Sequence, residues 1–304
     1  MKVSLVKDKG DALIATAARA SFNRSADMYS EEQNQKLISF LVNANPAHFA
    51  PLAHVRLTLR LEHWMIIYKK LDAYNKTGMV EVRQSDGVVD VSHSLWGWYI
   101  LLRDKKVHFS IADSVIDHLQ FIAPVASKVL GLDNFRAKDM HKDGYVQVHQ
   151  APRNYAQDFV TLRVTCPIVI ARQLMKSQTG FIHSEASGRY ILYDKQYLPT
   201  DWHTKPDNKK QGAGKPVGII RKAIAITLTK LCHAISYASY TIMHRLLNIA
   251  IEESRYCLSM AAKTTIVITA ARADWDRVIL LRTGKDAQTD IQVLAGLVAE
   301  ELEK

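Results

Sequence analysis

The sequence predicts a protein of the α/β class, built as one domain with a largely helical C-terminal half. Two well-separated segments, 54–62 and 159–165, alternate strictly between apolar and polar residues. That two-residue period is typical of a β-strand with one exposed face. Other segments show the 3.6-residue period of amphipathic helices, and 48% of the 304 residues are hydrophobic, enough for a sizeable core.

The N-terminal third is predicted to begin with a strand and to continue with two helices. The stretch "KVSLVKD" (2–8) fits a strand, and "DALIATAARASF" (11–22) fits a helix rich in alanine. The stretch "SEEQNQKLISFLVNA" (30–44) is a clearer helix, because Ser30 and Gln33 can form a capping box before an apolar stripe.

The two alternating segments are predicted strands, and helices dominate the chain beyond the second one. The segment between them holds a predicted helix near 111–130 and an aromatic run, "HSLWGWYILL". The stretch 167–178 should open a helix, and 204–216 resembles a linker, either a solvated loop or a mobile flap with a basic edge. Helices are also predicted at 217–250 and at the end of the chain, in "DAQTDIQVLAGLVAEELEK".

Composition narrows the possible ligands and the compartment. The formal net charge of +10 and the pI near 9.4 favour anionic partners, but the basic residues are spread out and no nucleic-acid-binding motif stands out. Phosphate binding is therefore favoured over DNA recognition. No long apolar window or signal peptide is present, so we expect a cytoplasmic protein without a membrane span. Three distant cysteines, Cys166, Cys232 and Cys257, predict reduced thiols and no metal site.

The most informative stretch for chemistry is "SEASGRY" (184–190). A glycine lets the backbone approach an anion closely, and Ser187 and Arg189 on either side of Gly188 can complete the anion's shell. The Glu185 carboxylate would repel a phosphate, because both are anions. It is therefore expected to accept a hydrogen bond from a sugar hydroxyl or a ring N–H. The signatures G-x-S-x-G, G-x-x-x-x-G-K-[ST], H-E-x-x-H and G-x-G-x-x-G are absent from the sequence.

Two further groups of polar residues are candidates for the same ligand. On the helix after 167, Arg172, Lys176 and Thr179 share one face, and Gln173 and Ser177 share the adjacent one. Nearer the C-terminus, two arginines lie among apolar residues, at 255 and 282. Each needs a partner, which is either a structural carboxylate or a ligand.

These stretches together resemble the flavin-dependent thymidylate synthases. The chain keeps the end of the family pattern S-x-N-E-x-S-x-R-Y as "EASGRY" (185–190), with Ser184 in place of the Asn, and "CPIVIARQ" resembles the lead into the family's R-H-R motif. "AARASF", "HFAPLAHVRLTLRLE", "SRYCLSMAAKT" and "LRTGKDAQ" resemble further family segments in the right order, with Arg255 and Arg282 at the family's spacing. Lys176-Ser177-Gln178 stands in place of R-H-R and is similar to the K-H-Q of some bacteriophage members, so the chain is identified as a divergent member.

The resemblance implies a fold and a reaction. The fold would be a central, mostly antiparallel sheet flanked by long helices, in a single domain over 1–304 with an insertion at about 63–158. The reaction would be the reductive methylation of dUMP to dTMP, with FAD as cofactor and with NADPH and methylenetetrahydrofolate as co-substrates. The family's sites form between subunits, so a homotetramer is also implied.

The resemblance also assigns roles residue by residue. Arg282 would be catalytic, as a fixed cation that stabilises negative charge on the pyrimidine ring. The dUMP-binding residues would be Gln173, Ser187, Gly188, Arg189, Arg255 and Arg282. The FAD-binding residues would be His48, Lys176, Gln178, Glu185, Arg277 and Gln288.

Other functions remain open at this point. A pyrimidine deoxynucleotide hydroxymethylase on the same scaffold, or a synthase with altered use of flavin, would fit the changed R-H-R motif. A catalytically silent nucleotide-binding relative would fit that change together with the insertion. A nucleic-acid-binding protein is the remaining alternative, and tight, salt-sensitive binding to DNA would identify it.

Overall fold

The computed structural model forms two compact units. It describes residues 1–44, 47–62, 81–85, 88–105, 107, 109–136, 148–150, 159–176, 180–193, 196–205, 214–284 and 287–304. Unit 1 comprises Met1–Val6, Ala20–Asn23 and Val160–Lys304, and unit 2 comprises Lys7–Arg19 and Arg24–Phe159. Most of the net positive charge lies in unit 1.

The described residues form eight strands and ten α-helices. The strands are β1 (Lys2–Leu5), β2 (Arg56–Glu62), β3 (Glu81–Ser85), β4 (Val88–Ser94), β5 (Val148–Gln150), β6 (Phe159–Pro167), β7 (Ile182–Glu185) and β8 (Lys263–Ala271). The helices are α1 (Gly10–Arg19), α2 (Glu31–Asn43), α3 (Leu95–Arg103), α4 (Phe109–Ile122), α5 (Pro124–Val129), α6 (Ile168–Lys176), α7 (Ile219–Thr241), α8 (Ile251–Ser254), α9 (Arg272–Arg282) and α10 (Thr289–Leu302). No helix among them is both long and apolar enough to cross a membrane.

Unit 1 contains a four-stranded sheet in the order β1-β6-β8-β7. The outer pairs are antiparallel, with Lys2 opposite Thr165 and Glu185 opposite Ile266. Strand β8 is buried along nearly its whole length, and α6, α9 and α10 supply apolar side chains to the same core. Trp275 of α9 is fully buried there, and its indole N–H donates to the carbonyl of Val160 at 3.1 Å. This packing supports the ends of β7 and α6, where the polar site residues lie.

Unit 2 contains a second four-stranded sheet, in the order β3-β4-β2-β5. All three of its pairings are antiparallel. Arg60 and Asp90 face each other across β2 and β4 and form a bidentate ion pair at 2.8 Å. Helices α1 and α2 and strand β2 belong to the same unit as the segment 63–158. The single domain with an insertion at about 63–158 stays a prediction.

The predicted fold class is confirmed, and several local predictions hold. The structure is a mixed α/β fold with antiparallel strand pairs. Ser30 caps α2 and forms the predicted capping box with Gln33. The alternation at 54–62 gives β2, in which Leu57 and Leu59 are buried and the intervening Thr58 is partly exposed.

Some boundaries differ from the predictions. The helix predicted near 111–130 is two helices, α4 and α5, because Pro124 has no N–H to continue the first helix and starts the second. The helix predicted at 217–250 ends at Thr241, continues as a short π-helical turn, and is followed by Asn248 with a φ of 54°. Most of the predicted loop 204–216 lies outside the described residues, although its ends pair through Thr204 N–H and the carbonyl of Lys215 at 2.9 Å.

Candidate active site

A cavity of about 480 Å³ lies in unit 1 and is lined by several of the predicted residues. They come from the start of α6, from the end of β7 with its following turn, and from the segment after α8. The charged and polar side chains that line the cavity are Arg172, Glu185, Ser187, Tyr193, Arg255, Tyr256 and Ser259. Two guanidinium groups and one carboxylate in one cavity are suited to a ligand that is anionic at one end and a hydrogen-bond donor elsewhere.

The turn after β7 is held by hydrogen bonds that converge on Ser187. Its carbonyl accepts the backbone N–H groups of Tyr190 at 2.9 Å and Ile191 at 3.1 Å. Its side-chain oxygen accepts the N–H of Arg189 at 3.3 Å, and its own N–H donates to the carbonyl of Ser21 at 2.9 Å. The Ser187 hydroxyl uses only its oxygen in this turn, so its proton is available for a hydrogen bond to a ligand.

Gly188 is required by the space around it. A Cβ atom at this position would lie 2.6 Å from Cε2 of Tyr193 and 3.2 Å from Cδ of Arg255. From the sequence, this glycine was predicted to let an anion approach the backbone N–H groups closely. The packing gives a second reason, because glycine lets the Tyr193 ring and the Arg255 side chain close over the turn.

The two guanidinium groups of the cavity lack a carboxylate partner within the described part of the chain. Arg255 donates through Nε to the carbonyl of Glu252 at 3.1 Å, which fixes the base of its side chain. Arg172 is exposed on α6, and no ion pair joins it to a described carboxylate. Arg189, beside the cavity, donates to the Tyr190 hydroxyl at 3.1 Å and does not line the cavity.

Backbone contacts hold the rim of the cavity at 257–262. The first two N–H groups of α6, from Ile168 and Val169, donate to the carbonyls of Ala262 and Met260. On the other side, the Ser236 hydroxyl of α7 donates to the carbonyl of Cys257 and accepts the N–H of Ser259. These contacts set the distance between α6 and the segment that carries Arg255.

Two predicted nucleotide residues form a second cluster, which we call the glutamine cluster. Gln173 Nε2 donates to Oε1 of Gln288 at 2.6 Å, and Arg282 Nη2 donates to the carbonyl of Gln173 at 3.2 Å. None of these three side chains lines the cavity. Within one chain the predicted nucleotide residues are therefore divided between the cavity and the glutamine cluster.

The predicted flavin residues are distributed more widely. Glu185 lies in the cavity, and its carboxylate accepts the hydroxyl of Thr264 at 2.9 Å. Lys176 is exposed at the end of α6, and Arg277 pairs with Asp274 at 3.5 Å. His48 is exposed in unit 2. Gln178, like its neighbour Ser177, lies outside the described residues.

Sequence reasoning missed Tyr193 and Thr264 as parts of this site. Tyr193 is only 9% exposed, and Thr264 is 2% exposed. Burial and then the charge of Glu185 raise the pKa of the Tyr193 hydroxyl above its usual range, so the phenol is neutral at physiological pH. Thr264 is the last residue of the stretch "SRYCLSMAAKT", which resembles a family segment, and Tyr193 gave no sequence signal.

Cys166 is not a nucleophile in this site. It is fully buried in β6, and burial followed by the charge of Glu185 raises the pKa of its thiol to about 12. The reactive thiolate is therefore absent near neutral pH.

These features make the cavity a candidate site for a small anionic ligand, and comparison with known proteins places the chain in a family. Residues 137–304 match the family model described as "Thymidylate synthase complementing protein". The chain is 27% identical over 319 residues to a flavin-dependent thymidylate synthase from Aquifex aeolicus (strain VF5), covering 99% of this chain and 96% of that protein. The chain belongs to the thymidylate synthase complementing protein family.

Among solved structures, the chain is similar to the UMP/dUMP methylase PolB from Streptomyces cacaoi. In the form bound with 5-Br dUMP, the similarity covers 99% of this chain and 89% of that chain, at 14% identity and a TM-score of 0.43. In the form bound with 5-Br UMP, the covered share of that chain is 86%, with the same identity and TM-score.

Proposed function

We propose that this enzyme is a flavin-dependent thymidylate synthase that converts dUMP to dTMP by reductive methylation. The supporting observation is the cavity of unit 1, which brings Arg172 and Arg255 together with Glu185. Within the described residues, neither arginine forms an ion pair with a carboxylate, and the Glu185 carboxylate accepts a hydrogen bond from Thr264. A nucleoside monophosphate suits these groups, because its phosphate pairs with guanidinium while a sugar hydroxyl or ring N–H donates to a carboxylate. The similarity to the Aquifex protein favours dUMP as that nucleotide.

The phosphate is assigned to the turn after β7 and to the nearby arginines. Ser187 donates its free hydroxyl proton, and Arg255 and Arg172 supply the positive charge. Arg189 is proposed to exchange its hydrogen bond with the Tyr190 hydroxyl for one with the phosphate. Gly188 lets the Tyr193 ring and the Arg255 side chain pack closely against the turn. Glu185 accepts from the sugar or the ring at the other end of the cavity, which favours a nucleotide role for it over the flavin role that the resemblance implied.

The pyrimidine is assigned to Arg282 with Gln173. Arg282 is partly buried and is anchored on the carbonyl of Gln173, so its cation is positioned in advance of binding. A positioned cation stabilises the negative charge that develops on the ring as C5 becomes nucleophilic. Arg282 is therefore proposed as the catalytic residue.

A second copy of the chain is proposed to bring the glutamine cluster to the cavity, in a homotetramer. Helix α7 exposes a continuous apolar stripe, with side-chain exposures between 55% and 73% at Ile220, Ile224, Leu228, Leu231 and Ile235. A stripe of this size on a monomer indicates a protein interface. Leu231→Glu should convert the oligomer to smaller species in light scattering, whereas Lys230→Glu, off the stripe on the same helix, should leave its mass unchanged.

FAD is proposed to bind to residues from the end of α6, the middle of α9 and the start of α10. Lys176 and Arg277 supply cations and Gln288 supplies an amide, a donor set that suits a pyrophosphate. His48 and Gln178 are retained as proposed contacts by motif alone. Bound flavin would supply the hydride, with NADPH as its reductant and methylenetetrahydrofolate as the one-carbon donor. A cytoplasmic location fits this chemistry and the three free cysteines.

The test is turnover by the purified protein loaded with FAD, with dUMP, methylenetetrahydrofolate and NADPH. We expect dTMP as the product, and a flavin spectrum that bleaches with NADPH. Arg282→Ala should abolish turnover while dUMP still binds, and Arg255→Gln should weaken dUMP binding roughly ten- to hundredfold, because a charge-assisted contact is lost.

Other outcomes would select the alternatives. A hydroxymethylated product formed without NADPH would indicate the hydroxymethylase. Binding of dUMP without turnover in any variant would indicate the silent relative. A colourless protein that takes up no FAD would contradict the flavin proposal.

A further inference from the structure

A short segment of unit 1 connects the rim of the cavity with the start of helix α10. We call this segment, residues 196–200, the strap. At the rim, the Tyr197 N–H donates to the carbonyl of Ala261 at 2.8 Å. The hydroxyl of Ser259, which lines the cavity, donates to Oε1 of Gln196 at 3.4 Å. One end of the strap is therefore hydrogen-bonded to a segment that forms part of the cavity.

The other end of the strap is anchored on one buried carboxylate. Oδ1 of Asp290 accepts the Thr200 hydroxyl at 2.9 Å, the Tyr197 hydroxyl at 3.1 Å and the Thr200 N–H at 3.2 Å. Asp290 is 4% exposed, and no cation of the described residues forms an ion pair with it. Its charge is therefore stabilised by the donors of the strap, and by its place in the first turn of α10, where the helix dipole favours an anion.

Helix α10 begins beside the glutamine cluster. The carbonyl of Gln288 accepts the N–H groups of Ile291 and Gln292, both at 3.1 Å, so its backbone belongs to the first turn of the helix. The side chain of Gln288 accepts from Gln173 at 2.6 Å. Asp290 lies two residues further along in the same turn. The anchor of the strap and the residue that holds the glutamine cluster are therefore parts of one helical turn.

The three hydrogen bonds to Asp290 fix the position of the strap more narrowly than an apolar contact would. Burying a carboxylate costs free energy, and apolar side chains in place of buried charged groups are often neutral or stabilising. The carboxylate adds geometry, because each donor must point at one oxygen atom. This arrangement suits a segment whose exact position matters more than the stability it contributes.

We propose that the strap, with Asp290 as a positioning residue, holds the rim of the cavity at Ser259 in a fixed place relative to the glutamine cluster. The hydrogen bonds of the strap are formed without a ligand. The consequence for binding rests on the proposed nucleotide function of the cavity. In that function, loosening the strap weakens nucleotide binding although no residue of the strap lines the cavity.

The first test needs no nucleotide. Hydrogen–deuterium exchange of the full-length protein is compared for wild type, Thr200→Val and the control Thr161→Val. Thr161 is also a buried threonine of unit 1; its hydroxyl hydrogen-bonds with that of Thr269 at 2.7 Å, and it does not line the cavity. Exchange in peptides of the strap and the rim is measured relative to exchange in β8, which reports global unfolding.

In Thr200→Val, we expect about three- to tenfold faster relative exchange in both peptides, 196–200 and 257–262, the change expected for one lost hydrogen bond. In the control, both ratios should stay at their wild-type values. Wild-type exchange at the rim in Thr200→Val would overturn the inference, even if the strap itself exchanged faster.

The second test measures dUMP affinity by calorimetry, well below the melting temperature of each variant. Thr200→Val should weaken binding about three- to tenfold, and Thr200→Ser, which keeps the hydroxyl, should restore it. Thr161→Val should lower the melting temperature and leave the affinity unchanged. Equal losses of affinity in Thr200→Val and Thr161→Val, or no loss in Thr200→Val, would mean that the strap only stabilises the fold. If wild type binds no dUMP, the proposed function fails, while the exchange experiment still decides whether the strap positions the rim.

Discussion

Replacing Gly188 by alanine tests the packing of the site directly. The added Cβ would meet Cε2 of Tyr193 at 2.6 Å, about 1 Å inside an ordinary contact. The Tyr193 ring is buried, so it cannot swing away, whereas the exposed Arg255 side chain at 3.2 Å can yield. Overpacking of this kind costs about 1–3 kcal/mol. We therefore expect a melting temperature lowered by roughly 2–4 °C per kcal/mol, together with weaker dUMP binding.

A matched control is available at Gly296, in the middle of α10. A Cβ there meets nothing within 4 Å, and alanine is favoured over glycine in a helix by roughly 0.5–1 kcal/mol. Gly296→Ala should raise the melting temperature in calorimetry and leave dUMP affinity unchanged. If Gly188→Ala retained wild-type stability and affinity, the reasoning from crowding at Tyr193 would be refuted.

Three further predictions concern stability, pH and reactivity. Asp290, 4% exposed, accepts the N–H and hydroxyl of Thr200 and the hydroxyl of Tyr197, so Asp290→Ala should cost about 2–4 kcal/mol in urea unfolding. Burial, and then the positive charge of Arg56, lower the pKa of the His93 imidazole to about 3. Above pH 6.5 the imidazole is neutral in both the folded and the unfolded chain, and the fold keeps its full stability. As the pH falls from 6.5 towards 3, only the unfolded chain takes up the proton, so stability is lost. The free energy of unfolding should decrease along that range by up to about 1.4 kcal/mol per pH unit, and His93→Gln should reduce the slope. Cys166 should react with a thiol reagent only after unfolding, and Cys166→Ala should retain turnover.

Local signals in the sequence predicted much of the fold because they act within a few residues. The capping box at Ser30 and the alternation in β2 depend only on near neighbours, and both hold in the structure. The central strand β8 was not predicted, although it is the most buried strand of its sheet. Both of its faces are covered, so "KTTIVITAA" shows no two-residue period. Periodicity therefore fails where burial is greatest.

The candidate site divides in the same way. The turn 184–190 is continuous in sequence, so residue types alone could predict that its polar groups lie together, and Glu185, Ser187 and Gly188 do line one cavity. Its role in binding phosphate stays a prediction. Thr264 joins it through the pairing of β7 with β8, segments about 80 residues apart, and no local pattern encodes that pairing. Tyr193 joins it by packing its ring against Gly188. The division of Gln173 and Arg282 from the cavity likewise depends on how α6, α9 and α10 pack.

Charge alone could not locate the candidate site, whereas the grouping of charged side chains in one cavity indicates it. Two partly buried arginines elsewhere in the described chain are neutralised by carboxylates, Arg60 by Asp90 and Arg272 by Asp276. In the cavity, Arg172 and Arg255 have no such carboxylate, and the nearby Glu185 is engaged by Thr264. Two like charges that share a cavity repel each other until an anion enters. The repulsion is relieved by a phosphate, which makes anion binding the interaction that this arrangement of residues favours.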